Sequence, residues 1–231
     1  MFRWLHTIGV VFMLAASILL LITTISAPVI NDIGILKVSL RNSSTVNFGT
    51  FGYCILDASS SNGNANSDYC TKKVIGYKPV DLMESIDGTD FNTVGRKTAN
   101  GLTGSFILHP IASGLTFIAA LVAVGGFFGS IVGLILAVLA WVLTVVVMAI
   151  DFAIFGGIRN HINKDGSGSS AKYSVGMWTT LAAMIILLLG IIIVFFTCCT
   201  DRRKKSREQV AVRSEKATTT SRRRWGRKSN Y

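Results

Sequence analysis

The chain has 231 residues, half of them hydrophobic and only 15% charged, with a formal net charge of +11. A soluble domain carries about 25% charged residues, and here the charge is missing in whole blocks, which excludes an ordinary soluble globule and points to a chain that crosses a membrane several times. The positive charge is equally local: residues 201–231 hold twelve Lys and Arg against Asp201, Glu208 and Glu215, so it belongs to a tail abutting a membrane span and does not argue for nucleic-acid binding.

Residues 1–6 (MFRWLH) form a short basic lead. Thr7 to Ala27 is apolar and uncharged, long enough to span. Thr24-Ile25-Ser26 offers small residues where a signal peptide could be cut, but an apolar run of about 20 residues exceeds the 7–15 of a signal core, so a retained first span over 7–27 is expected. Residues 28–104 are the one large polar segment, in which seven basic residues balance seven acidic ones. Within it, Gly34–Leu40 and Thr45–Leu56 alternate in the manner of strands, with β-branched and aromatic residues. Ser59–Asp68 (SSSNGNANSD) reads as a flexible polar loop, and Val80–Ile86 as a short helix.

No Lys, Arg, Asp or Glu occurs between Lys97 and Asp151. The 45 residues from Phe106 to Ile150 would make a helix roughly 68 Å long, against a hydrocarbon core about 30 Å thick. The stretch therefore has to be two spans, 105–126 and 130–155, with the break in Gly125-Gly126-Phe127-Phe128-Gly129 and a turn at 127–129. Gly125, Gly129 and Gly133 also form a small-xxx-small series, which in an unbroken helix would be a packing face; the turn is the favoured use. Residues 156–174, with GSGSS at their centre, read as a short polar loop. The fourth span, 175–199, ends at Arg202-Arg203-Lys204-Lys205, and the tail, 200–231, is expected to be disordered in solution.

Five of the six residues from Arg202 to Arg207 are basic, which places that end in the cytoplasm by the positive-inside rule. Four spans put the N-terminus on the same side, the 28–104 segment and the 156–174 loop outside, and the glycine turn inside. Cys54 and Cys70 lie in the outside segment, where an oxidising compartment favours pairing; a loop of that size closes with about 3 kcal/mol of stabilisation in the chain-entropy model. The Asn42-Ser43-Ser44 sequon falls in the same segment and makes Asn42 a candidate glycosylation site. Cys198 and Cys199 sit at the cytoplasmic membrane edge beside basic residues, as candidates for S-palmitoylation or as two small residues ending a helix. No CxxC, His–Cys ladder or HExxH occurs in the sequence, so neither a metal nor a cofactor is expected.

An outside loop with an aromatic-rich G…C…C element, followed by a hairpin and a fourth span, is similar to the claudin-like four-span architecture. Claudins carry a Trp before the first Cys, where this chain has Phe51 and Tyr53. A closer resemblance is to the fungal PalI family of pH-response regulators and its eisosome-associated plasma-membrane relatives. It rests on Ile25-Ser26-Ala27-Pro28-Val29-Ile30, on Asn47-Phe48-Gly49-Thr50-Phe51-Gly52-Tyr53-Cys54, on Cys70 with Ile75-Gly76-Tyr77, and on Leu108-His109-Pro110, and it runs from the start of the chain to the tail. The resemblance implies a non-enzymatic plasma-membrane tetraspan protein, acting as an accessory of ambient-pH sensing or as an organiser of membrane domains.

The fold expected is an all-α membrane bundle of four transmembrane helices with a small disulfide-stapled extracellular loop domain containing β-strands. Asp151 ends the third span, His109 opens the second, and His161 lies in the second outer loop, so all three fall near the outer face. Histidine titrates close to neutral pH, which makes His109, Asp151 and His161 a candidate pH-responsive rim; a solvated cap or hydrogen-bond partner at Asp151 is the plainer alternative. Trp4 and Trp178 near span ends fit an interfacial belt. The basic tail clusters, Arg202, Arg203, Lys204 and Lys205 and then Arg222, Arg223 and Arg224, are either a topology signal or an anionic-lipid anchor, to which Trp225 would add and which phosphorylation of Ser206 would weaken. The expected partners are inner-leaflet lipids and other membrane proteins or further copies of the chain. The alternative class is a small channel or transporter subunit, which the scarcity of ionisable residues within the spans disfavours; an intramembrane enzyme lacks a nucleophile–base pair.

Overall fold

A computed structural model of the chain describes the backbone of residues 2–41, 43–56, 68–88, 93–164, 166 and 168–226. It also describes their side chains, apart from those of residues 2–3, 87, 93–95, 126–128 and 201–226. The elements run α1 (Phe2–Thr24), β1 (Leu36–Ser39), β2 (Thr45–Phe48), β3 (Tyr53–Leu56), β4 (Tyr69–Cys70), α2 (Pro79–Asp87) and α3 (Thr93–Leu102). A 3₁₀ turn (Thr103–Ile107), α4 (Leu108–Val124), α5 (Gly126–Ile162), β5 (Ser170–Tyr173) and α6 (Val175–Gly226) complete the chain. Asn42 and residues 59–67 of the polar loop lie outside the described residues, as do the side chains of Ser206, Trp225 and the basic tail clusters.

Four helices, α1, α4, α5 and α6, are long and apolar enough to cross a membrane. They form a ring in which α1 packs on α4 and α6, and α5 packs on the same two. Burying apolar surface gains little between helices bathed in lipid, so close approach and interhelical hydrogen bonds hold such a bundle together. The α4–α5 seam is accordingly built of Ala119, Ala120, Ala123, Ala137 and Ala140, all fully buried. A Cβ on Gly133 would stand 2.7 Å from the Ala123 nitrogen. Ser17 and Ser113 tie α1 to α4 reciprocally, each hydroxyl donating to the other's carbonyl at 3.2 Å. Thr23 of α1 meets Thr179 of α6 at 2.8 Å.

The hairpin is tighter than expected. Gly125 alone separates α4 from α5, so the turn falls at 125 and not at 127–129. Gly129 and Gly133 serve packing instead: a Cβ on Gly129 would press on the Val122 carbonyl oxygen. The two expected uses of the glycine series are thus split along it. The expected third span, 130–155, is also longer. With 37 residues, α5 measures about 55 Å, well beyond a hydrocarbon core of about 30 Å. Its last turns leave the bundle and carry Ile154, Phe155, Ile158 and Ile162 into the core beneath the sheet.

That sheet has the order β4-β3-β2-β1-β5 and is antiparallel throughout. One face buries Leu36, Val38, Val46, Phe48 and Ala171 against α5 and against Val80 and Met83 of α2. Thr45–Leu56 is a hairpin of two strands, turning at Gly49–Gly52. Gly49 has to lack a side chain, because a Cβ there would overlap the backbone of Ala27. The helix expected at Val80–Ile86 is α2, entered through Pro79 and closed by Gly88 in the left-handed region at φ 68°. The 156–174 segment is not simply a loop. Its first residues continue α5, and Ser170–Tyr173 is a strand paired to β1. Asn163 fastens that strand, donating to the Ala171 carbonyl at 3.0 Å and accepting from the Ala171 N–H at 2.8 Å. The tail differs as well: the backbone of α6 runs on as helix to Gly226, through Arg, Lys, Gln and Glu, which lose little rotamer freedom in a helix.

Candidate functional site

Where the bundle meets the sheet, two ionisable side chains are sealed inside the protein. His109 occupies the first turn of α4, and Asp151 lies well along α5. His109 is 1% exposed and Asp151 not at all. Their Nε2 and Oδ2 atoms lie 3.1 Å apart. Among the described residues, His109 Nδ1 and Asp151 Oδ1 have no hydrogen-bond partner.

Aromatic rings roof the pair. Phe106 meets His109 edge-on at 6.0 Å and stacks on Phe155 at 5.7 Å. Tyr77 packs on Phe106 at 6.1 Å and on Phe48 at 6.5 Å, and Tyr53 closes the group beside Phe48 and Tyr77. These rings come from β2, β3, the segment before α2, the 3₁₀ turn and α5, so the sheet and the helices beneath it both contribute. Tyr77 is half-buried as a residue, and its hydroxyl donates to the Gly49 carbonyl at 2.8 Å. Burial first, and the nearby Asp151 charge second, hold that hydroxyl well above its ordinary 10.0.

The rise at Tyr77 fixes the sign of an alkaline effect. The folded chain binds this proton more tightly than the unfolded chain, so the contribution to stability is intact below about pH 10 and is lost as pH rises from there through the folded value. Tyr53, raised by its own burial and then by Tyr69, acts in the same direction. Tyr77→Phe should flatten the alkaline limb of a plot of unfolding midpoint against pH, leaving only the Tyr53 component. An unaltered limb would remove Tyr77 from this account.

The expected rim is therefore a buried pair. His109 and Asp151 are brought together and neither is solvated; of the two plainer roles for Asp151, hydrogen-bond partner fits and solvated cap does not. His161 does not join them: it lies ten residues further along α5, about 15 Å up the helix. Cys54 and Cys70 are bonded, facing each other across β3 and β4. Cys198 and Cys199 are in no disulfide. Trp178 is largely exposed at the sheet end, and Trp4 at the opposite end. Trp141, half-buried, packs on the small-residue seam.

Sequence reasoning passed over His6. Its Nε2 lies 3.1 Å from the Ala123 carbonyl oxygen, and its Nδ1 lies 3.4 Å from the Thr197 hydroxyl. One imidazole thereby joins α1, the end of α4 and α6 at the turn end of the bundle. Among the described residues, no group of three His, Cys, Asp or Glu is placed to hold a metal ion.

Comparison with known proteins bears directly on this site. The model of the SUR7/PalI family matches residues 5–190, which take in all four apolar helices up to the upper part of α6, the sheet, and the His109–Asp151 pair. The chain belongs to the SUR7/PalI family. A similar protein is the pH-response regulator protein palI/prr-5 of Neurospora crassa, 31% identical over 120 residues, a stretch that is 52% of this chain and 15% of that protein. The SUR7/PalI chain described here thus spans a small part of the length of that curated relative. The stretches that carried the resemblance in the sequence, Phe48 to Cys54, Gly76-Tyr77 and Leu108-His109-Pro110, converge in space on the roof and wall of the buried pair.

Proposed function

We propose that this SUR7/PalI protein is a non-catalytic, multi-pass plasma-membrane protein that assists ambient-pH sensing, with the His109–Asp151 pair as its proton-responsive element. The observation that carries the reading is the burial of that pair. Its two titratable groups stand 3.1 Å apart in an apolar enclosure. An unbalanced charge in such an enclosure is costly, which is why a buried pair of this kind can couple protons to structure. Asp151 acts electrostatically on the Tyr77 hydroxyl, which is bonded to the Gly49 carbonyl, so the pair is coupled to the β2–β3 turn. The groups facing the pair from the packed elements are Tyr77 and, beyond it, Tyr53.

The topology we propose puts the sheet outside the cell and both termini in the cytoplasm. In its support, the disulfide lies at the sheet end and belongs to oxidising surroundings. The basic tail leaves from the opposite end, where positive charge marks the cytoplasmic side. The conduction alternative finds little support: Thr116 and Thr144 bond back to their own helices, and Ser17 and Ser113 satisfy each other's helices. Organisation of membrane domains is a second reading, favoured by the exposed apolar stripe of Val132, Ile135, Leu139, Val142 and Val146 on α5, which is available for lateral contact.

The test is complementation of a fungal host lacking its own PalI-type protein, scored for alkaline growth. His109→Gln should fail to restore growth, whereas His161→Gln should behave as the parent. A His109→Gln protein that reaches the membrane and supports a full alkaline response rules out the pair as sensor. Unaltered pH responses with disturbed cortical membrane patches would favour the organiser reading.

A further inference from the structure

A transverse row of side chains crosses the outer face of the sheet, Cys70, Cys54, Asn47, Lys37 and Lys172, each opposite the next in register. The row begins at the disulfide and ends in two lysines side by side on β1 and β5. Like charges directly opposite each other destabilise a strand pair. Among the described residues, neither lysine has a carboxylate within ion-pairing reach. Both are exposed and both line one groove of about 540 Å³, open on its outer side.

The rest of that groove has a different chemistry. Ser174, Val175, Trp178, Thr179 and Ala182 form its wall where α6 leaves the sheet. Val175 and Trp178 are more than half exposed. Below them, Ala182, Ile185 and Leu189 continue the same face of α6 at intervals of three and four residues, with Ile185 and Leu189 exposed. The groove thus has a cationic, hydroxyl-bearing head at sheet level and an apolar track that descends along a membrane-capable helix. A free anion would use only the head. A phospholipid would use both, and Trp178 stands where an interfacial aromatic is expected.

We propose that this groove is a binding site for one phospholipid with an anionic headgroup. Lys37 and Lys172 hold its phosphate, and its acyl chain lies along Trp178, Ala182, Ile185 and Leu189. The proposal rests on the four-span reading but not on the pH reading, since the groove shares no residue with the His109–Asp151 pair.

The full chain, in a background with Trp4, Trp141 and Trp225 changed to Phe so that Trp178 alone fluoresces, would be placed in phosphatidylcholine vesicles. A minor fraction of the lipid would be brominated on its acyl chains, either as phosphatidylglycerol or as phosphatidylcholine. Each lysine near an anionic lipid favours it about five-fold, so the pair should prefer the brominated phosphatidylglycerol by roughly 25-fold at Trp178. Lys37→Gln with Lys172→Gln should abolish the preference. Equal quenching by the two lipids would overturn the site. So would a preference that survives the double substitution, which would make the basic tail its source, or one erased by inorganic phosphate at constant ionic strength. If the Trp-depleted background does not fold, native mass spectrometry of the parent chain and of the two-lysine variant decides the matter. A retained phosphatidylglycerol that is lost in the variant supports the site, and equal retention refutes it.

Discussion

Replacing His109 by Leu should destabilise the folded protein by about 3–5 kcal/mol, as expected when one member of a buried charged pair is removed. Asp151 is fully buried and, without the imidazole, would have neither oxygen satisfied, since its Oδ1 already lacks a partner. The informative comparison is the double variant His109→Leu with Asp151→Leu. Apolar side chains of similar bulk leave no charge behind, so most of the loss should be recovered. Denaturant unfolding in mixed micelles, run for both single variants and the double, closes the cycle. A single variant as stable as the parent would mean that the pair is hydrated in solution, and the sensing proposal would fall with it. A double variant that is stable but unresponsive to pH in cells would separate the pair's role in sensing from its role in holding the fold.

What the sequence disclosed about this site follows from which forces are local. The absence of charge from Thr98 to Ile150 is a matter of solvent, and it forces two spans whatever else the chain does. Span ends follow from the same constraint, so the sequence alone puts His109 and Asp151 at one level. Their burial has a different origin. It depends on Phe48, Tyr77, Phe106 and Phe155, which come from separate segments and meet only when the sheet closes over α5. His6 was illegible for the same reason, since its partners lie 117 and 191 positions away.

β5 was hidden differently. Ser170-Ala171-Lys172-Tyr173 has a single strand-favouring residue, Tyr173, and sits in Gly/Ser-rich sequence, so its local signal is too weak to mark a strand. It is one because β1 offers an open edge and Asn163 fixes its backbone. Gly133 illustrates a true ambiguity. A turn and a close helix crossing both require a missing side chain, and composition alone cannot choose between them. The tail, read from its polarity as disordered, continues as helix, because a polarity argument weighs the lack of a core and not the helix propensity of Arg, Lys, Gln and Glu.

Changing Cys54 and Cys70 together to Ala should cost about 2–5 kcal/mol, and the loss should be local. The bond spans 16 residues and fastens β4, a strand of only two residues that pairs with β3 alone. Two residues of edge strand, with the Thr71–Tyr53 and Val74–Phe51 bonds just beyond them, hold weakly against the entropy of ordering the intervening chain, so β4 should loosen when the bond is absent. The bundle has its own seam of Ala side chains and Ser17–Ser113 bonds, none of which involves β4. Amide hydrogen exchange should therefore speed up in Tyr69–Cys70 and Tyr53–Leu56 while α4 and α5 keep their protection. Protection lost equally throughout would mean that sheet and bundle fold as one unit. Exchange unchanged at β4 would mean that the bond contributes nothing to holding the edge. Intermediate loss reaching the Gly49–Tyr77 contact would extend the disulfide's influence to the roof of the buried pair, so a reductant would then alter the pH response as well as the stability.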